Sequence, residues 1–331
     1  SGSLSITSGG WVNDLGKWTV TDTTTITAAA DVVLDVSGSK YASPISVSGV
    51  NVTMVNAQAT DLAKVSTSGA FTLTSLGDVV DSGSLTVAGA TKISATKANV
   101  TLNDTKTALS GAVSLNGNNV SLFNNTATVL SGSTATGTFS VTTNNFNISS
   151  TVSALAVTGA VSLDAGTADI NVELKGSALS STLGVSGHDI SVTGNTAFNL
   201  GAITATGNLA ILTTLAVNDT AKISVTGTTT VSGGNGPVLL NSSSNVFTGA
   251  VSLAGTNIEV TNNVATNLGT VTAKGTFSVL SASGDITDNG ALVVSGLATF
   301  NAGSNDVVLD GVNSTLDRKS TRLNSSHIPL S

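Results

Sequence analysis

The chain has 331 residues, a formal net charge of −7 and no cysteine. Hydrophobic residues make up 40% of it, charged residues only 9% and aromatics 3%, where an ordinary soluble domain is about 25% charged. Such a chain is too apolar and too weakly charged to remain disordered, and too poor in Leu, Lys and Glu to be helical. The missing thiols exclude a disulfide scaffold and thiolate metal sites. The acidic balance, without a basic stripe, excludes nucleic acid as a partner. No run of about 18 apolar residues is present, so no transmembrane helix is expected.

A long internal repeat organises the sequence. A polar residue followed by a β-branched one recurs, in near-constant steps, at Asn51-Val52, Asn119-Val120, Asp189-Ile190 and Asn257-Ile258. Gly69, Gly137, Gly207 and Gly275 keep the same steps, and Gly89, Gly159, Gly227 and Gly296 follow in the same register. A fourth series is Asp31, Asn99, Asp169, Pro237 and Asp306. Four landmarks in one register define a repeat architecture. The expected organisation is a partial repeat over 1–30, a β-solenoid of about four units over 31–316, and a tail over 317–331.

The first segment begins Ser1-Gly2-Ser3, with the single Met at Met54, and reads as cut from a longer protein. Trp11, Trp18 and Tyr41 fall before the regular units. Packing is favoured over sugar stacking for them.

Within each unit the period is two, the signature of a strand with one buried face. Val52, Val120, Ile190 and Ile258 are expected to point inward, with Met54, Leu122, Val192 and Val260 at the next inward position. Thr53, Ser121, Ser191 and Glu259 between them point outward. After the second glycine, Phe71, Phe139, Leu209 and Phe277 face in, with Leu73, Val141, Ile211 and Val279. After the third come Ile93, Leu163, Val231 and Phe300.

Identical strands recurring in one orientation suit parallel stacking, even though Asn116-Gly117 has the composition of a hairpin turn. The expected fold is all-β, a right-handed parallel β-helix with about three coils per 68–70-residue repeat. About fourteen coils at roughly 4.8 Å would give a rod on the order of 65–70 Å long. Glycine at Gly49, Gly69, Gly89 and Gly117 is expected to supply the φ values of sharp corners, the step from Gly89 to Gly117 being the longest. That longest step would hold the additional strand Asn99–Leu102. The anchor Asn and Asp side chains are expected to bond turn backbone. Recurring every third coil, they are not expected to form a continuous ladder.

The phrases Gly111-Ala112-Val113-Ser114-Leu115, Gly159-Ala160-Val161-Ser162-Leu163, Gly249-Ala250-Val251-Ser252-Leu253, Gly284–Gly290 and Asn305–Asp310 resemble the Ser/Thr/Asn/Gly-rich repeats of very large bacterial surface proteins. These include filamentous-haemagglutinin-like exoproteins and autotransporter passengers, and the resemblance covers about residues 10–315. It implies secretion, a place at the bacterial cell surface in association with the outer membrane, and a role as adhesive or structural rod. Host or environmental glycans or matrix would be its partners, and cut solenoid ends would associate end to end. The alternatives are a passive spacer for a distal domain and a polysaccharide-processing β-helix.

The chemistry expected is sparse. Asp78 and Asp81 match Asp285 and Asp288 three repeat units later, and such pairs are weak candidates for Ca²⁺. Solvated turn residues are the stronger reading. A polysaccharide-cleaving site needs clustered carboxylates with a basic partner. Before residue 317 there is no Arg, and only nine scattered Lys, with Lys92, Lys97 and Lys106 nearest to a cluster. No enzyme activity and no cofactor are expected. His188 reads as a surface corner residue at the position of Val50, Asn118 and Thr256. The tail carries both Arg residues of the chain, Arg318 and Arg322, and resembles translated sequencing-adapter sequence. It is expected to be non-native or disordered.

Overall fold

The structure is a computed structural model that describes residues 2–42, 44–151, 155–316 and the strand Thr321–Arg322. The expectation for 317–331 otherwise lies outside the described residues. These form strands and turns with no helix, the parallel strands of each unit stacked as a right-handed solenoid. Contacts divide the chain into two units. One is Ser1–Gly166 with Ala178–Ser181, and the other Thr167–Ser177 with Thr182–Ser331.

In the first unit, Leu4–Ser8 lies under Thr24–Ala28, which lies under Ile45–Gly49 and then Thr60–Thr67, all in parallel. Val32–Leu34, Val52–Asn56, Phe71–Ser75 and Thr91–Ala95 stack likewise in the other sheet. In the second unit, Ile190–Thr193, Leu209–Leu212, Thr229–Ser232 and Val251–Gly255 form the same kind of ladder. Each strand satisfies the backbone groups of the one below, so sequence-distant strands need no hairpin.

The alternation read from the sequence holds. Met54, Val192, Leu73, Val141, Ile211 and Val279 are completely buried, as are Phe71, Phe139 and Phe277. Leu209 keeps 1% exposure and Phe300 5%. The β-branched and aliphatic side chains thus fill a narrow interior, with Asp14 and Asp288 the buried carboxylates among the described residues.

Each repeat is three turns and one strand position, and the surplus moves the pattern around the solenoid. From Val52–Asn56 to Ala112–Gly117 there are nine strands. The eight-residue Thr60–Thr67 fills two positions, because its first half pairs with Val79–Asp81 and its second with Leu85–Val87. At three positions per turn, the next anchor strand Val120–Asn124 falls in the other sheet from Val52–Asn56. Ile190–Thr193 and Ile258–Asn262 in the second unit differ in the same way.

A face ends at each such shift, and a buried asparagine closes it. Asn56 Oδ1 accepts the Tyr41 N–H while its Nδ2 donates to Tyr41 O and Thr60 Oγ1. Asn124 treats Leu109 and Thr128 in the same manner, and Asn262 treats Phe247 so. The side-chain amide pairs with the last strand of the terminated face as a backbone amide would. The third repeat has Gly194 there. A Cβ at 194 would stand 2.5 Å from Phe198 Cζ, so the phenyl ring occupies the space of the amide.

The corner glycines correct the expected reason for their presence. Gly69, Gly89, Gly137, Gly159, Gly207, Gly227, Gly275 and Gly296 all have ordinary φ values. They are required because turns approach too closely for a side chain. A Cβ on Gly89 would lie 2.6 Å from the carbonyl carbon of Gly69, and one on Gly111 would lie 2.3 Å from Gly89 O. Gly111, not Gly117, therefore follows Gly89 at this corner, and Gly117 lies over Ala98 O at another. The long step from Gly89 to Gly117 dissolves into regular turns, and Val100–Leu102 is one of their ordinary strands. Positive φ belongs to a different series: Lys97 at 60°, Gly166 at 60°, Gly234 at 56° and Gly303 at 58°.

Two substitutions test these readings. Gly89→Ala is expected to lower stability by about 1–3 kcal/mol through overpacking, whereas Gly9→Ala, with nothing within 4 Å of its new Cβ, leaves the urea midpoint unchanged. Lys97→Gly installs the residue its repeat-equivalents carry. It is expected to raise stability by about 0.5–1 kcal/mol by relieving the left-handed backbone.

Candidate functional site

The surface is built from corners and flat outward rows. At the corner below each second glycine, the anchor side chain reaches up one turn. Asn51 Oδ1 accepts Ala70 N–H, Asn119 Oδ1 accepts Thr138 N–H, Asp189 Oδ1 accepts Asn208 N–H and Asn257 Oδ1 accepts Thr276 N–H. The glycine one turn above each anchor makes this fit. A Cβ there would meet the anchor oxygen at 2.2 Å for Gly69 and Gly137 and 2.3 Å for Gly207 and Gly275. Two sequence landmarks are thus one interaction.

The anchors also join into ladders across adjacent turns, which corrects the expectation of isolated ones. Asp78 Oδ1 accepts Asn99 N–H, Asn99 Oδ1 accepts both Asn119 N–H and Nδ2–H, and Asn119 continues to Thr138. In the second unit the run is Asp169, Asp189, Asn208 and Thr228. Members of the fourth landmark series sit one turn below members of the first, Asp31 below Asn51, Asn99 below Asn119 and Asp169 below Asp189.

The four candidate Ca²⁺ ligands hold backbone. Asp78 and Asp285 each accept the N–H of the anchor one turn on, at Asn99 and Asp306. Asp81 accepts Asn103 and Asp104 N–H together with Thr107 Oγ1–H. Asp288 accepts Asp310 and Gly311 N–H through Oδ1, and its buried Oδ2 has no partner among the described residues. Asp14 and Asp219 repeat this device at Asp35–Val36 and Asn241–Ser242. Sequence spacing hid it, because Thr151 interrupts the series. Burial raises the Asp81 carboxyl above its ordinary pKa despite the opposing amide bonds.

The aromatic cluster divides. Tyr41 is fully buried and donates to Asp14 Oδ2, Trp18 packs its edge on Tyr41 at 6.5 Å, and Trp11 stands 65% exposed. Burial, followed by the neighbouring Asp14 charge, raises the Tyr41 hydroxyl.

Outward rows carry hydroxyls in register. Thr7, Thr27, Ser48, Ser66 and Thr86 occupy one row on successive turns, and Thr101, Ser121, Ser140 and Ser162 another. A shallow open groove of about 490 Å³ is lined by Ser94, Thr96, Lys97, Asn116, Asn118, Thr134 and Thr136. Thr134 and Thr136 donate to Asn116 and Asn118 within it.

His188 is at a corner, as expected, and stands between two carboxylates. Its Nδ1 lies 3.1 Å from Asp169 Oδ1 and 3.8 Å from Asp189 Oδ2. Asp169, His188 and Asp189 are the one group of three metal-capable side chains found among the described residues. The Asp189 amide, and next the His188 ring, hold the Asp169 carboxyl below its ordinary pKa. A carboxylate shifted in this direction contributes stability above its unfolded pKa of about 3.9 and loses it as pH falls through the lowered value. Exchange protection of the Asp189 amide, corrected for intrinsic rate, is therefore expected to hold down to about pH 4 and decline below it. Asp169→Asn should flatten that decline.

Five segments match a family model described as repeats of unknown function (DUF5649): residues 1–48, 49–116, 117–186, 187–254 and 255–320. The internal boundaries fall beside the anchors, and the last match runs to 320. No curated protein and no solved structure matches.

Proposed function

The chain belongs to this family of repeats, and we propose that it serves as a structural and adhesive segment of a large secreted bacterial surface protein. The repeat β-solenoid fits a structural rod role. The observation that supports adhesion is the registered rows of exposed or half-exposed hydroxyls, such as Thr7, Thr27, Ser48, Ser66 and Thr86. Repeated at the interstrand spacing of about 4.8 Å, they offer many weak, equivalent hydrogen-bonding groups to an extended polar polymer. Affinity then comes from multiplicity rather than from one enclosed pocket. Glycans or matrix are the partner class this surface suits, and no catalytic step is assigned to it.

Location at the cell surface rests on the resemblance of the Ser/Thr/Asn/Gly-rich phrases to exported repeat proteins. No helix among the described residues is long and apolar enough to cross a membrane.

The test is binding of the full chain to arrays of glycans and matrix proteins. Binding is expected to weaken several-fold when Thr25 and Thr27 are changed to Val and Ser46 and Ser48 to Ala together, which removes the hydroxyls without stacking charge and leaves the fold in place. A chain that binds no array component leaves the passive spacer as the reading. Conversion of a bound polysaccharide to shorter products would overturn both.

A further inference from the structure

The corner at Asp169, His188 and Asp189 departs from the way other rungs are closed. In the rungs Asp31–Asn51, Asn99–Asn119 and Asp189–Asn208, the upper side-chain amide donates to the oxygen below. At Asp169–Asp189 the upper group is a carboxylate, so two anions stack on successive turns, joined directly by the Asp189 backbone N–H. Like charges at this range repel, and the rung gains from a cation between them. His188 Nδ1 turns into the same space from the neighbouring position.

The geometry suits a small ion. The three ligand atoms lie within 4.8 Å of one another. A tetrahedral ion with bonds of roughly 2.0–2.2 Å sets its ligand atoms about 3.4 Å apart. The observed separations of 3.1 Å and 3.8 Å from His188 Nδ1 bracket that value. Both carboxylates are already oriented: Asp169 Oδ1 by the Asp189 amide, and Asp189 Oδ1 by Asn208 N–H and Nδ2–H. Hydrogen bonds of this sort to ligating carboxylates are what supports a metal site from outside. The imidazole ring lies over the corner glycine, where a Cβ on Gly207 would come 3.1 Å from His188 Nε2. The Asp285–Asp306 rung also stacks two carboxylates, but the described residues bring no third metal-capable side chain to it.

We propose that Asp169, His188 and Asp189 bind a divalent transition ion of the zinc class, which closes this rung as an amide closes Asp31–Asn51, Asn99–Asn119 and Asp189–Asn208. Two carboxylates and one imidazole leave a fourth position for water or for a donor on a bound partner. The site is a property of this repeat alone. The positions of His188 and Asp189 hold Val50 and Asn51, Asn118 and Asn119, and Thr256 and Asn257 elsewhere.

The full chain is titrated with Co²⁺, followed by visible absorption, and then with Zn²⁺ in competition, with the unfolding midpoint as a second readout. One equivalent of Co²⁺ displaced by Zn²⁺, and a midpoint raised by Zn²⁺, are expected. His188→Asn and Asp189→Asn each install a residue that a sister repeat carries, so the fold is retained while Zn²⁺ binding weakens at least about tenfold. His327→Gln binds as the parent does. The proposal is overturned if the parent binds Zn²⁺ no more tightly than the double variant His188→Asn/Asp189→Asn, or if binding is lost in His327→Gln. Neither outcome bears on adhesion, which the hydroxyl rows carry.

Discussion

Close approach of successive turns at a glycine corner is the constraint on which the solenoid depends. Parallel strands one turn apart must bring their connecting backbones together as closely as the strands themselves. At Gly89, Gly111 and Gly159 the stacked backbones leave no room for a Cβ. The anchor asparagine or aspartate uses the same closeness, placing its oxygen where the glycine has no side chain and bonding the next amide. Steric need and hydrogen bonding are satisfied by one pair of residues on adjacent turns, so both recur with the repeat.

A second constraint is the mismatch between repeat and turn. A repeat that is three turns and one position long cannot present the same face twice in succession. Every repeat must therefore end one face and divide another. The buried amides of Asn56, Asn124 and Asn262 do the ending, and the long strands Thr60–Thr67, Phe198–Ala205 and Thr266–Ala273 do the dividing. Repeat-equivalent surface residues are consequently distributed around the solenoid within each unit. Gly194 and Phe198 show that the closure tolerates a different chemistry, an apolar ring in place of an amide network, provided the volume is filled.

Charge is used sparingly and locally. Most aspartates at corners and turns accept backbone amides of the next turn, as Asp14, Asp81, Asp219 and Asp288 do. A carboxylate in that role is a fixed acceptor for two successive N–H groups that the turn leaves unpaired. The same sparseness explains why the Asp169–Asp189 corner stands out: it concentrates two anions and an imidazole in one place.

Repeat length, strand alternation and the composition of the core are legible in the order of the residues. Period-two patterning decides which side chains can be buried wherever one face is dry, and Met54, Phe71, Leu122 and Val279 lie inward accordingly. The residue order also marks the anchor asparagines and glycines without revealing that they touch. The reason for the glycines, the ladders from Asp78 through Asn99 to Asn119, the one-position shift between repeats and the meeting of Asp169 with His188 emerge from the stacking of turns. Those depend on which residue lies one turn above another. Turns differ in length, since Leu200 stacks on Leu183 in a short one whereas Val113 stacks on Thr91 in a longer one. Vertical neighbours are therefore set by accumulated stacking register and cannot be counted off from a fixed spacing.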